Sequence, residues 1–160
     1  MENELSASAQ RIQQVLAGKG LQLKVVELPG STRTAREAAQ AVGCQIGQIA
    51  KSLVFCGQKS GTAVLVIASG ANRVDEKKLS RFLAEPVIKP DAEFVRQVTG
   101  FVIGGVPPVG HAQPLRTFID SDLLTYAQIW AAAGTPHALF ALTPADLLEM
   151  TGGQVAEIRA

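Results

Sequence analysis

The sequence predicts an α+β fold built on a mixed central sheet. Three observations lead there. Amphipathic helical stretches carry their own caps. The β-branched runs between them come in hairpin-like pairs instead of strict strand–helix–strand units. No internal repeat, low-complexity tract or linker divides the chain. The 160 residues suit a single domain, 1–160, and at that size roughly two thirds of the unfolded chain's surface can be buried. A hydrophobic fraction of 47% excludes a disordered chain. With a net charge of +1 there is no overall field to draw a polyanion, so contact with nucleic acid would require a local basic patch.

Taken in order, residues 6–18 form an amphipathic helix: Ile12, Val15 and Leu16 share a face, Ser6 or Ser8 caps the start, and Gly18 and Gly20 close it. Residues 21–28 alternate as a half-buried strand does. The turn "PGSTRT" leads into a helix capped by Thr34, with Glu37 completing a capping box and Gly43 as the stop. "QIGQIAKSLVFCG" is a short apolar turn running into a strand over 52–56. A hairpin-type connection, "QKSGT", follows, then a buried strand, "AVLVIA". "VDEKKLSRFL" is a helix with Val74, Leu79, Phe82 and Leu83 on one side and Lys77, Lys78 and Arg81 on the other. "DAEFVRQV" is a helix capped by Asp91, "RTFID" a strand, and "SDLLTY" a helical turn capped by Ser121. "QIWAAAG" and "HALFAL" pair across a Gly134-Thr135-Pro136 turn. "TPADLLEMTGG" is a helix with Thr143 as cap, Pro144 at its first position and Gly152 as stop, and "QVAEI" is a last short strand.

Several residues are candidates for chemistry. Lys51, at the entrance of an apolar strand, is either a solvated edge residue or an ammonium at the mouth of a pocket, suited to a phosphate or a developing oxyanion. Gly104, Gly105, Val106, Pro107 and Pro108 form either a tight structural turn or a loop that lets a backbone approach a ligand closely, with few, well-directed N–H groups. His111 and His137 are the only histidines, and neither has a metal-ligand partner at useful spacing. A lone histidine opening an apolar strand, as His137 does, is more often a hydrogen-bonded structural group. Asp120 and Asp122 flank Ser121 at the start of a helical turn, where capping explains them. Cys44 and Cys56 form neither a CxxC motif nor a disulfide framework and read as reduced thiols. No nucleophile elbow, P-loop or dinucleotide fingerprint occurs. The polar N-terminus lacks the apolar core of a signal peptide, and no apolar run approaches the roughly 20 residues of a membrane span. A soluble, cytoplasmic protein is therefore expected.

The segments "IAKSLVF", "SGANRVDEKKL", "TGFVIGGVPPVGH", "RTFID", "GTPHALFAL" and "EMTGGQVAEI" occur in an order that resembles the YbaK/ProX family of free-standing aminoacyl-tRNA deacylases. The chain is similar also to the editing domain inserted in bacterial prolyl-tRNA synthetases. The resemblance spans roughly residues 20–158 and implies a mixed, barrel-like central sheet with surrounding helices. It also implies hydrolysis of the ester between a wrong amino acid and the terminal adenosine of tRNA, without cofactor or metal. The catalytic positions it implies are Lys51, which holds the terminal nucleotide through its phosphate, Gly104 of the G-x-x-x-P loop, and His137. Ser52, Gly105, Val106, Pro107 and Pro108 are implied to bind substrate.

The implied partner is the aminoacyl-tRNA acceptor end, with prolyl-tRNA synthetase as a candidate partner and a monomer or weak homodimer as the expected state. "GTPHA" stands where cysteine-specific members have a glycine-rich segment. This favours a small residue such as alanine on tRNA(Pro) over cysteine. Pro107 replaces a small polar residue, removing a hydroxyl and an N–H from the loop. The alternatives are a Cys-tRNA(Pro) deacylase, a non-catalytic module binding aminoacyl-tRNA or a synthetase, and a thiol redox protein using Cys44 and Cys56.

Overall fold

The computed structural model describes residues 5–160. Helix α1 (Ala7–Gly18) starts at Ser6, whose Oγ accepts from the Ala9 N–H, and buries Ala9, Ile12 and Leu16. Strand β1 (Val25–Glu27) is shorter than the alternation over 21–28 predicts. The cause is Gln13, whose side chain donates to the Leu23 carbonyl at 2.7 Å and accepts from the Val25 N–H at 2.8 Å, tying this segment to α1 ahead of the strand. Helix α2 (Ala35–Val42) is capped by Thr34 and ends at left-handed Gly43. The capping box there is incomplete: the Glu37 carboxylate accepts from the Thr34 hydroxyl at 3.0 Å instead of from the Thr34 N–H.

A 3-10 turn (Ile46–Gln48) leads into β2 (Ile49–Gly57). The strand begins three residues before the expected Ser52, so Lys51 lies inside it. Strand β3 (Ala63–Ser69) returns antiparallel and is buried throughout. Next come α3 (Glu76–Leu83), β4 (Val87–Ile88), α4 (Ala92–Thr99) and β5 (Arg116–Asp120). A 3-10 turn (Ser121–Thr125) follows β5, capped by Asp120 and not by the expected Ser121. The hairpin β6 (Ile129–Ala132) and β7 (Ala138–Leu142), α5 (Pro144–Thr151) and β8 (Gln154–Ala156) complete the chain.

The sheet runs β1-β7-β6-β2-β3-β5-β8, with β4 joining β2 off this path. It is mixed, as expected: β2 runs parallel to β6 and antiparallel to β3, and β3 runs parallel to β5. It does not close, and β1 and β8 are its ends. One face packs Leu65 and Ile67 of β3 against α1, α4 and α5; the other packs Val64, Val66 and Phe118 against Leu79 of α3. Among the described residues no helix is long and apolar enough to cross a membrane.

One edge of β2 creates the opening on which the site is built. The Ile49 carbonyl accepts from Gly70 at 2.7 Å and the Gly57 N–H donates to Thr62 at 2.9 Å, so the odd-numbered residues of β2 turn their backbone groups toward β3. The even-numbered residues turn theirs the other way. On that side β6 pairs only with Ile49 and Ala50, and β4 only with Cys56 and Gly57. The N–H and C=O groups of Ser52 and Val54 therefore face a break in the sheet.

Candidate active site

That break holds a cavity of about 490 Å³. Residues 49–55 of β2 form its base, and Ala35 and Ala38 of α2, Val95 of α4 and Leu139 of β7 give it apolar walls. No carboxylate lines it; its charged groups are Arg33, Lys51 and Lys89. A second cavity of about 590 Å³ shares Lys51, Leu53, Phe55 and Lys89 with the first and continues over the face that carries α3. Side chains alternate across a strand, which puts Lys51 on that face and Ser52 on the opposite one, in line with Ala50 and Val54. Lys51 thus stands where the two spaces meet.

Lys51 is half-buried and has no hydrogen-bond or ion-pair partner among the described residues. Burial pushes its pKa down, repulsion from Lys89 and Arg73 adds to the effect, and the charge of Asp120 opposes it. Asp120 itself is 1% exposed. Its carboxylate accepts from the Ser69 N–H at 3.0 Å, Asn72 Nδ2 at 2.9 Å and the Asp122 N–H at 3.0 Å. The capping role expected of this aspartate is therefore one of three. It also locks the Ser69-Gly70-Ala71-Asn72 turn, and its charge opposes the downward shift at Lys51. The polar spacing of "SGAN" was the available signal for this, and sequence reasoning did not use it.

The loop over 104–108 reaches the cavity through Gly104 and Val106 only. Gly104 has φ +90°, and a Cβ there would collide with the Arg33 side chain. Gly105 lies against the Thr135 backbone, donates to Val102 and accepts from the Gly134 N–H, both at 3.0 Å. Pro107 and Pro108 are buried behind this wall. Ser52 lines the cavity, and its hydroxyl, like that of Thr32, is buried without a protein partner.

The two histidines divide otherwise than the sequence suggests. His137 is exposed and does not line the cavity. Its Nδ1 bonds the Gly30 carbonyl at 2.8 Å, while its own carbonyl accepts from Leu28 and the Pro136 carbonyl accepts from Thr32. These bonds fasten the 28–32 segment that carries Thr32 into the wall. The structure brings Lys51, Ser52, Gly104 and Val106 together and leaves His137 outside.

His111 bonds the Pro107 carbonyl through Nε2 at 2.7 Å and braces the loop. Burial pushes its pKa below the ordinary 6.5, partly offset by that bond. The folded state therefore holds fewer protons than the unfolded state just below about pH 6.5, and stability falls as pH drops through that window. The loss in Tm between about pH 7 and about pH 5 should shrink in His111→Gln, which keeps a donor but does not titrate. An unchanged pH dependence in this variant would refute the linkage.

Cys44 is half-buried and Cys56 buried; burial pushes both thiols up, and neither loses its proton readily near neutral pH. Neither lines the cavity. Among the described residues no group of three or more His, Cys, Asp or Glu side chains could hold a metal ion.

The profile of the aminoacyl-tRNA editing domain matches residues 30–150, from the turn before α2 into α5. A crystal structure described as that of "a putative trans-editing enzyme for prolyl tRNA synthetase" matches with a TM-score of 0.92 at 56% identity, covering 98% of this chain and 99% of that one. A protein of Enterococcus faecalis named "Putative Cys-tRNA(Pro)/Cys-tRNA(Cys) deacylase EbsC" is 31% identical over 126 residues, 78% of this chain and 76% of that protein. A proline–tRNA ligase of Bacillus licheniformis is 32% identical over 114 residues, which make up 71% of this chain and 19% of the ligase. The matched span contains the open edge of β2, Lys51 and the 104–108 loop, and the chain belongs to the aminoacyl-tRNA editing family.

Proposed function

We propose that this chain hydrolyses the ester between a small, mismatched amino acid and the 3′-terminal adenosine of tRNA, with alanine on tRNA(Pro) as the leading substrate. The observation that carries this reading is the Lys51 ammonium, without a hydrogen-bond or ion-pair partner among the described residues, at the junction of an apolar cavity and a groove rich in basic groups. An aminoacyl ester needs little activation. A site that orients it, admits water or the ribose 2′-hydroxyl, and steadies the oxyanion suffices. Lys51 anchors the terminal phosphate. The backbone groups of Ser52 and Val54 that face the break in the sheet and the backbone at Gly104 orient the acyl group. Ala35, Ala38 and Val106 keep the acyl end small and apolar, although shape alone separates side chains one methylene apart by only about 1–3 kcal/mol.

The likeness to the Enterococcus protein favours a second reading, cysteine as the substrate. Deacylation of Ala-, Ser-, Cys- and Pro-charged tRNA(Pro) decides between them. Alanine release is expected to be fastest. Faster cysteine release would replace this substrate, and binding without turnover across the panel would make the chain a non-catalytic module.

A further inference from the structure

The groove beyond Lys51 has a charge pattern that the hydrolysis of an ester does not require. Arg73 and Lys77 are exposed on its wall, and Lys89 stands at its junction with the first cavity. None of the three has an ion pair or a side-chain hydrogen bond among the described residues. Their neighbours differ: Lys78 donates to the Arg159 carbonyl at 2.9 Å, and Arg159 pairs with Asp122 at 3.1 Å. Of the two acidic residues on the groove wall, Asp75 has its carboxylate engaged by the Lys77 and Lys78 N–H groups at the start of α3. Glu76 follows it there. Four cations thus share one space with two carboxylates, a local excess of positive charge, while the protein as a whole carries a net charge of only +1. Lys51 already feels the repulsion of Lys89 and Arg73. Such crowding is unfavourable in the free protein and is relieved by a polyanion.

We infer that Arg73 and Lys77 bind the phosphodiesters on the 5′ side of the terminal nucleotide, so that the substrate is recognised as a single-stranded oligonucleotide end and not as an aminoacyl-nucleoside. This rests on the function proposed above. Lys51 and Lys89 take the phosphate nearest the ester, and the strand continues along the groove toward α3. Half-buried Leu53 gives the groove floor an apolar surface.

The test compares alanyl-tRNA with 2′(3′)-O-alanyladenosine, which carries no phosphate, in the wild type and in the double variant Arg73→Ala/Lys77→Ala. Both side chains are exposed, so the fold should survive. The expected loss in kcat/KM on alanyl-tRNA exceeds that on alanyladenosine by about tenfold or more. The slope of log(kcat/KM) against log[salt] becomes shallower by about 1.4, roughly 0.7 for each single-strand phosphate contact removed. Equal losses on the two substrates, or an unchanged salt slope, overturn the inference. If the wild type releases no amino acid from any substrate, the hydrolytic reading fails and the groove is judged by binding alone. Fluorescence anisotropy with a CCA-ended RNA hairpin should then show weaker binding by the double variant, and equal binding overturns the inference.

Discussion

Lys51→Ala is expected to reduce release of the amino acid from mischarged tRNA by at least about a hundredfold while leaving the protein folded. The magnitude follows from the removal of a preorganised charge facing the reacting ester and its phosphate, for which losses of about 10²–10³ are usual. The fold should survive because the ammonium holds no protein group in place: it is half-buried, has no hydrogen-bond or ion-pair partner among the described residues, and is repelled by Lys89 and Arg73. Its removal should leave Tm unchanged or raise it. A residue that lowers stability while serving catalysis is the signature sought, and activity assays paired with thermal unfolding read both sides. Lys51→Arg keeps the charge but replaces a compact ammonium with a planar fork, so it should recover only part of the rate. The lowered pKa adds a pH dependence. The charged form is present below that pKa, so enzymatic release should fail at a lower alkaline pH than an ordinary lysine would allow. Undiminished release by a folded Lys51→Ala protein would remove Lys51 from the site.

What the sequence disclosed and what it withheld divide along the range of the interactions. Thr34, Asp91 and Thr143 each cap the helix they were expected to cap, and Ser6 is the one of the two candidates Ser6 and Ser8 that caps the first, because a cap is settled within three residues. The strand Arg116–Asp120 coincides with "RTFID" for a similar reason: its apolar pattern and flanking turns are local. The strand β2 starts before Ser52 because Ala50 and Lys51 pair with Ser69 and Ala68 of β3, and Ile49 and Ala50 with Trp130 and Ala131, about eighty positions away. The same distance hid the cavity. Nothing near Ser52 in the chain announces that β6 stops before it and β4 begins after it, so a break in the sheet is readable only from where other strands end. The histidines make the point for side chains. Each bonds a backbone carbonyl, and which one braces the loop behind the cavity depends on whether that carbonyl belongs to Pro107 or to Gly30. Lys51 and the glycine loop were legible as a pair through the order of the motifs, while their convergence on one cavity required the fold.

Gly105→Ala should cost both stability and activity, and the two losses share a cause. A Cβ at this position would stand 2.8 Å from the Thr135 carbonyl carbon, 2.9 Å from its Cα and 3.1 Å from its nitrogen. All three are backbone atoms, so no rotamer change relieves the contact. The loop must move away from the 134–136 turn, stretching the Gly134–Gly105 hydrogen bond of 3.0 Å. Overpacking of this kind costs about 1–3 kcal/mol, and at this chain length each kcal/mol lowers Tm by about 2–4 °C. Gly104 and Val106, on either side, are the loop residues that line the cavity, so the same displacement shifts its wall. A site held to within a fraction of an ångström tolerates that poorly, and kcat/KM should fall by about tenfold or more even well below the new Tm. Gly18→Ala is the control: an added Cβ there meets nothing within 4 Å, so it should leave activity intact and stability unchanged or slightly improved. A Gly105→Ala protein as stable and as active as the wild type would show that the loop yields freely at this contact. The rigid wall that two buried prolines and His111 build behind the cavity would then have no part in selecting the substrate.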